Sequence, residues 1–310
     1  MPNQAEQRVI DPILSRIALG YRHPEHIGQH LFPVVPVQVA GGKVIEFDKS
    51  GFRLYNTARA PGTKAKRLQF GHLGKPYAVE NHALDAVVPR EHQREAGAVP
   101  GIDLATRAVN LVLKSGSLVL ENQHATLATD VANYDANHQV TLAGTDQWND
   151  YANSNPIADV KAGREAIRSS IGMYPNVIMI SAKVMSALEE HPAFVDRIKY
   201  TSSDSVDEAL LARLFKIKKV VVGQAIAFDD DDTSIDLWGR DVVMAYVPEQ
   251  LTGMEEPSYG YTYQMDGHPL IEVPFWDRDA RSWIYGTTHE RVGVHTGISA
   301  GFVIKDAVAP

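Results

Sequence analysis

Residues 102–130 read IDLATRAVNLVLKSGSLVLENQHATLATD, and no proline interrupts them. Leu104, Ala108, Leu111 and Leu118 recur at helical steps, and Ala105, Val109, Val112, Val119 and Leu127 form a second row beside them. That spacing predicts one long amphipathic helix whose two apolar rows face a core. Asp103 falls in the first turn, where the helix dipole favours an acid. At 1.5 Å per residue the element spans roughly 40 Å, far beyond the usual three turns. Gly116 costs about 1 kcal/mol against alanine and permits a bend. A helix of this length acts as a girder joining units.

Working toward the N-terminus, residues 41–80 form one unit. Gly41-Gly42 is expected as a turn, Val44, Ile45 and Phe47 as a strand, and Ala60-Pro61-Gly62-Thr63 as a distal turn. Leu68, Phe70 and Tyr77 would line the return strand. Apolar residues are too sparse for a separate core, and a lone two-stranded hairpin is marginal in water. The hairpin must lean on something, and a partner subunit is a physical candidate. An unstructured loop is the alternative, uncommon inside a domain at this length. Residues 1–40 contain a helix start at Asp11-Pro12, running to Leu19, and a second at Pro24, running to His30. Then comes Leu31-Phe32-Pro33-Val34-Val35-Pro36-Val37. Its prolines hold it extended and deny it a central place in a sheet, so it reads as a strap across another surface.

Toward the C-terminus, residues 81–150 hold the girder and a polar stretch. Residues 151–255 read as a compact α/β lobe. Helices are expected over 157–171, 182–190, 192–200 and 206–215, with strands at 176–180, 219–222 and 241–247. Residues 256–310 are strand-rich, at 259–263, 270–275, 282–285 and 302–304.

The 310 residues include no cysteine, which excludes disulfides, thiolate nucleophiles and thiolate metal sites. No apolar run reaches membrane-spanning length and the N-terminus lacks a signal-peptide core, so a soluble cytoplasmic product is expected. A net charge of −8 argues against a general nucleic-acid binder. The average hides a dipole. Residues 43–75 carry eight bases and two acids (+6), and residues 204–256 carry twelve acids and five bases (−7).

Motifs for chemistry fail on context. Gly297-Ile298-Ser299-Ala300-Gly301 fits a nucleophile elbow, but that mechanism needs an acid and then a histidine downstream. The last histidine is His295, so the segment reads as a turn into the final strand. His23, His26 and His30 have helical spacing for zinc, but Pro24 breaks the turn and only Glu25 could support them. Asp229 to Asp232 resembles a calcium loop in charge alone: Ile235 and Arg240 stand where glycine and glutamate are required. An acidic turn between strands is the reading. Phosphate-binding glycine motifs and His-Glu-x-x-His are absent from the sequence. No catalytic residue, metal site or cofactor is expected.

Taken in order, these pieces resemble the major capsid proteins of tailed bacteriophages, which have the Hong Kong 97-type fold. Strap 31–37, Gly42-Lys43, Phe47 and Arg59-Ala60-Pro61-Gly62 are similar to the N-terminal arm and extended loop of that family. Residues 102–130 resemble its spine helix, and Pro175 to Ser181, Val220 to Gly223 and Ile235 to Gly239 its axial domain. Phe302 to Asp306 resembles its closing peripheral-domain strand. The resemblance implies an α+β chain: N-terminal arm 1–40, extended β-hairpin loop 41–80, peripheral domain with spine helix 81–150, axial domain 151–255 and a return to the peripheral domain over 256–310.

It also implies self-assembly through hexamers and pentamers into an icosahedral virion shell, formed in the host bacterial cytoplasm. The shell encloses double-stranded DNA without sequence-specific binding, and no membrane is involved. A separate scaffolding protein and a portal are expected, since only about forty residues precede the loop; a decoration protein is compatible. Inter-subunit contacts are expected at Arg53, Arg59, Lys64, Lys66 and Arg67 of the loop and at Phe32, Pro33 and Pro36 of the arm. Covalent cross-linking is not expected: Lys64 and Lys66 have no matching asparagine or glutamate partners. Two rivals stand beside this reading. One is an encapsulin-like shell around enzyme cargo; the other is a cytosolic α/β hydrolase using Ser299.

Overall fold

The computed structural model describes residues 26–43, 57–59, 64, 67, 76–96, 103–198, 206–249 and 258–310. The expected helix over 11–19 and most of the hairpin, including Arg53 and Lys66, lie outside them.

After a 3-10 turn at Gly28–His30 the chain forms β1 (Val34–Val37), β2 (Gly41–Lys43), β3 (Pro76–Ala78), β4 (Glu80–Pro89) and helix α1 (Arg90–Ala96). The girder is α2, Leu104–Thr129. Asp103 caps it, its carboxylate accepting from Ala105 N (3.0 Å) and Thr106 Oγ1 (2.5 Å). Next come β5 (Gln139–Thr141) and α3 (Pro156–Ile171), the latter capped by Asn155, opened by Pro156 and closed by Gly172 at φ 74°. The lobe continues through β6 (Val177–Ser181), α4 (Ala182–Glu190), α5 (Pro192–Ile198), α6 (Glu208–Phe215) and β7 (Lys219–Gly223). A small hairpin, β8 (Ile226–Phe228) with β9 (Ser234–Asp236), precedes β10 (Val242–Ala245). Strands β11 (Gly260–Met265), β12 (Leu270–Ile271), β13 (Phe275–Asp277), β14 (Ser282–His295) and β15 (Gly301–Lys305) complete the chain.

Two sheets organise these elements. In the larger, the fourteen residues of β14 serve as a common partner for β4, β11, β12 and β13. Pairing with β4 runs from Ser282↔Pro89 to Arg291↔Glu80. The strap strand β1 lies parallel to β11 at the edge, where Pro36 removes no hydrogen bond that an interior strand would need. The smaller sheet has the order β5-β15-β10-β6-β7, and all of β6 and β10 is buried under the lobe helices. Apolar residues on both faces make these strands continuous hydrophobic runs.

Four sequence expectations change. Gly41-Gly42 is not a turn; it opens β2, paired with Tyr77 and Ala78 of β3. The strand expected over 282–285 extends to His295, because β14 finds ladder partners along its whole length. Phe302 to Asp306 does not close the larger sheet; β15 pairs with β10 and β5 in the smaller one. The buried face of α2 is also rotated from the expected rows. It runs through Ala108, Val109, Val112, Leu113, Leu120, Glu121, His124, Ala125 and Ala128, while Leu111 is 63% and Val119 48% exposed. The C-terminal half buries two polar side chains, which apolar counting assigns to the wrong side.

This placement gives a direct test. Leu111→Asp is expected to change the stability of the subunit by no more than about 0.5 kcal/mol, leaving its melting temperature nearly unchanged. Val112→Asp, one residue on, buries a charge against Ala86, Val88 and Tyr285 and should abolish soluble folded protein. Circular dichroism melts of the two variants check both.

Candidate subunit-contact surfaces

The strap begins at a corner of the molecule that α2 builds. Glu121, 2% exposed, accepts from Ile27 N (2.9 Å), Gly28 N (2.9 Å) and Trp238 Nε1 (2.8 Å). One turn on, His124 stacks on Phe32 with ring centroids 5.0 Å apart. Its Nε2 lies 2.8 Å from Thr262 Oγ1, whose hydroxyl donates to Phe32 O (3.0 Å). The hydroxyl proton is therefore spent on the strap carbonyl, so the imidazole donates from Nε2. A Cβ on Gly28 would sit 2.4 Å from His124 Nδ1, so only glycine fits this approach. Burial, aided by Arg291, lowers the His124 pKa to about 3.

Phe32 itself has no exposed surface, enclosed by His124, Tyr259 and His295. That corrects the expectation of a subunit contact at Phe32: the side chain belongs to the core of its own chain. Pro33 is half-buried and Pro36 exposed, so the outward edge of the strap remains available.

The root of the hairpin is pinned to the same sheet. Tyr77 of β3 stacks on Tyr263 of β11 at 4.3 Å, and a Cβ on Gly42 would meet the Tyr77 ring at 2.8 Å. Beyond this root Arg59, Lys64 and Arg67 are exposed. Burial raises the Tyr263 pKa to about 12.

This architecture finds counterparts among known proteins. The model of the family described as phage major capsid protein E matches residues 112–292, more than half of the chain. The major capsid protein of Burkholderia phage BcepMu is 35% identical over 282 residues, covering 89% of this chain and 90% of that protein. The chain belongs to the phage major capsid protein E family. A crystal structure of a phage-related protein from Bordetella bronchiseptica RB50 is 46% identical, with a TM-score of 0.84 over 98% of this chain and 99% of that one. The mature capsid of bacteriophage PhiM1 shares the fold alone, at 13% identity and a TM-score of 0.55, covering 92% of this chain and 88% of that one. The protein is thus a phage major capsid protein, a structural component of the virion with a mixed α+β capsid-type fold. This reading is supported over the encapsulin-like and hydrolase alternatives.

The remaining motifs of the capsid protein resolve into local structure. Ser299 lies in the 3-10 turn Ile298–Ala300 that feeds β15, as its sequence suggests. His295 Nε2 is 3.0 Å from Leu127 O. His26 Nδ1 meets Ser117 Oγ at 2.6 Å, while His30 meets Lys219 Nζ, so these two histidines point to different partners. Asp229 tightens the β8–β9 turn by accepting from Asp231 N and Thr233 N at 3.0 and 2.9 Å. Among the described residues no group of three acids or imidazoles is placed to hold a metal, and no helix is long and apolar enough to cross a membrane. Sequence reading missed Glu121 and His124. Their only signal is that two polar residues interrupt the apolar face one turn apart.

Two predictions follow from this corner. Glu121→Ala strands three buried donors and should cost at least about 3 kcal/mol in urea unfolding of the free subunit. The second concerns pH. Unfolded histidine titrates near 6.5, while His124 and His289 titrate at about 3 in the folded chain. Between those values the unfolded chain binds more protons, so stability falls as pH drops, by about 1.4 kcal/mol per pH unit for each histidine. His124→Gln keeps a donor for Thr262 and should reduce the slope between pH 6 and 5 by about one proton.

Proposed function

We propose that this capsid protein closes an icosahedral shell of hexamers and pentamers around packaged double-stranded DNA, as a Hong Kong 97-type subunit. In this reading residues 1–40 are the N-terminal arm and residues 41–80 the extended loop. The larger sheet and α2 make the peripheral unit, over 81–150 and much of 256–310; the lobe 151–255 is the axial unit. A separate scaffolding protein and a portal take part in assembly in the host bacterial cytoplasm, and a decoration protein fits the same scheme. The reading is carried by the likeness to a major capsid protein along nearly the whole chain.

Charge and topology support a contact made by the loop. Its root is fixed by Tyr77 on Tyr263, whereas Arg59, Lys64 and Arg67 beyond the root are exposed. With Arg53 and Lys66 they give the segment 43–75 its balance of +6, against −7 over 204–256. Apolar contact supplies most of the affinity, and charge sets register and encounter rate. Exposed ion pairs contribute only about 0–1 kcal/mol each, but a shell repeats the same contact in every subunit. Pro33 and Pro36 would present the strap edge to a neighbour in the same way.

Electron microscopy of the purified protein tests the shell: closed particles of tens of nanometres are expected, and an oligomer of a few subunits would overturn it. The triple variant Lys64→Glu, Lys66→Glu, Arg67→Glu tests the loop. It should retain the dichroism of the wild-type subunit while shell closure, followed by light scattering, is slowed or blocked. Closure at the wild-type rate would remove the basic tip from the interface.

A further inference from the structure

Beneath the middle of α2 lies a cavity of about 450 Å³, closed on its far side by β4 and β14. Leu84, Val112, Leu113 and Leu120 give it apolar walls, while His82, His289 and Arg291 share its lining. Arg291 is 2% exposed. Its Nη2 donates to Gly116 O (2.7 Å) and its Nη1 to His289 Nδ1 (2.9 Å). Neither partner carries negative charge. Among the described residues no carboxylate lies within 4 Å of the guanidinium. Glu80 stands opposite in the ladder, but its exposed carboxylate turns to His82 Nε2 at 3.8 Å. Arg291 Nε and His289 Nε2, the latter bearing the ring proton because Nδ1 accepts from the arginine, lack hydrogen-bond partners but are sealed from the cavity, so a ligand there meets the guanidinium at its terminal nitrogens.

A buried cation without a counter-ion is costly, and so are buried donors without acceptors. The missing counter-ion is the deficit that a ligand in the cavity can meet. Burial and the nearby guanidinium hold His289 neutral, its pKa lowered to about 3, so of this hydrogen-bonded pair only Arg291 is charged. That matches a carboxylate better than a phosphate, which brings about two charges and more oxygens to satisfy. Walls of leucine and valine favour an apolar body behind the charged group.

We propose that this cavity binds a carboxylate carried on a short apolar body, with Arg291 as its counter-ion. Two sources supply that chemistry: a free carboxylic acid of the host, or an aspartate or glutamate of a second copy of this chain. The second source rests on the shell-forming function; the first does not.

Benzoate serves as the probe on wild-type free subunits, with phosphate as control. A saturable rise in melting temperature is expected with benzoate alone, and Arg291→Met should bind it about tenfold or more weakly. The imidazole resonances of His82 and His289 should shift during the titration while that of His191, in the lobe, stays still. This measurement reads the site even if Arg291→Met fails to fold. Assembled shells separate the sources. If a second copy fills the cavity, shells no longer bind benzoate and benzoate slows assembly; if a free acid fills it, shells and subunits bind alike. Either result supports a carboxylate site. No response in wild-type subunits, equal binding by Arg291→Met, or an equal shift of His191 would overturn it. Failure of the wild type to form shells would strike the proposed function while leaving the benzoate result standing.

Discussion

The carboxylate of Glu121 ties together three parts of this capsid protein that are distant in sequence. It sits on the long helix, holds the backbone of Ile27 and Gly28 where the strap begins, and accepts the indole proton of Trp238 from the lobe. Each donor is buried, so none can turn to water instead. The strap then has one path open to it. Gly28 passes against His124 at a distance that excludes any side chain, and Phe32 drops into a ring of aromatics.

The neighbouring frame depends on β14. One strand carries ladders to β4, β11, β12 and β13, so the larger sheet has a single backbone around which its edges are arranged. The helix α2 lies across it, packing Val109, Val112 and Leu113 on Ala86, Val88 and Tyr285. Toward its C-terminus the same helix enters the core of the lobe through Ala125 and Ala128. Two sheets are thereby joined by one continuous element. Gly116, whose carbonyl holds Arg291, lies between the two contacts. An aspartate–lysine pair, Asp241 with Lys305 at 2.7 Å, and Arg240 with Asp306 at 2.9 Å fasten the last strand to the lobe.

A subunit organised this way encloses its core and leaves parts of the strap and hairpin in solvent. The hairpin root is stacked and packed; Arg59, Lys64 and Arg67 beyond it are exposed. The strap is likewise divided, with Phe32 inside and Pro36 outside. A structural protein of the virion needs both, since it must hold its shape before it meets a neighbour.

Local sequence determined the elements. Periodicity gave the girder nearly to the residue, Asp103 marked its first turn, and the prolines of the strap put β1 at an edge. The order of these pieces carried the family resemblance. Tertiary structure alone decided the facing of the girder, the partner of the last strand and the fate of Phe32. The physical reason is the same in each case. Val303 is apolar enough for either sheet, and Leu111 is as hydrophobic as Leu113; only packing partners far along the chain select between them. Glu121 and His124 make the point most sharply. A buried carboxylate and imidazole are stable only when donors and acceptors arrive from residues 27, 28, 238 and 262, and hydrophobic pattern along one helix contains no information about those arrivals.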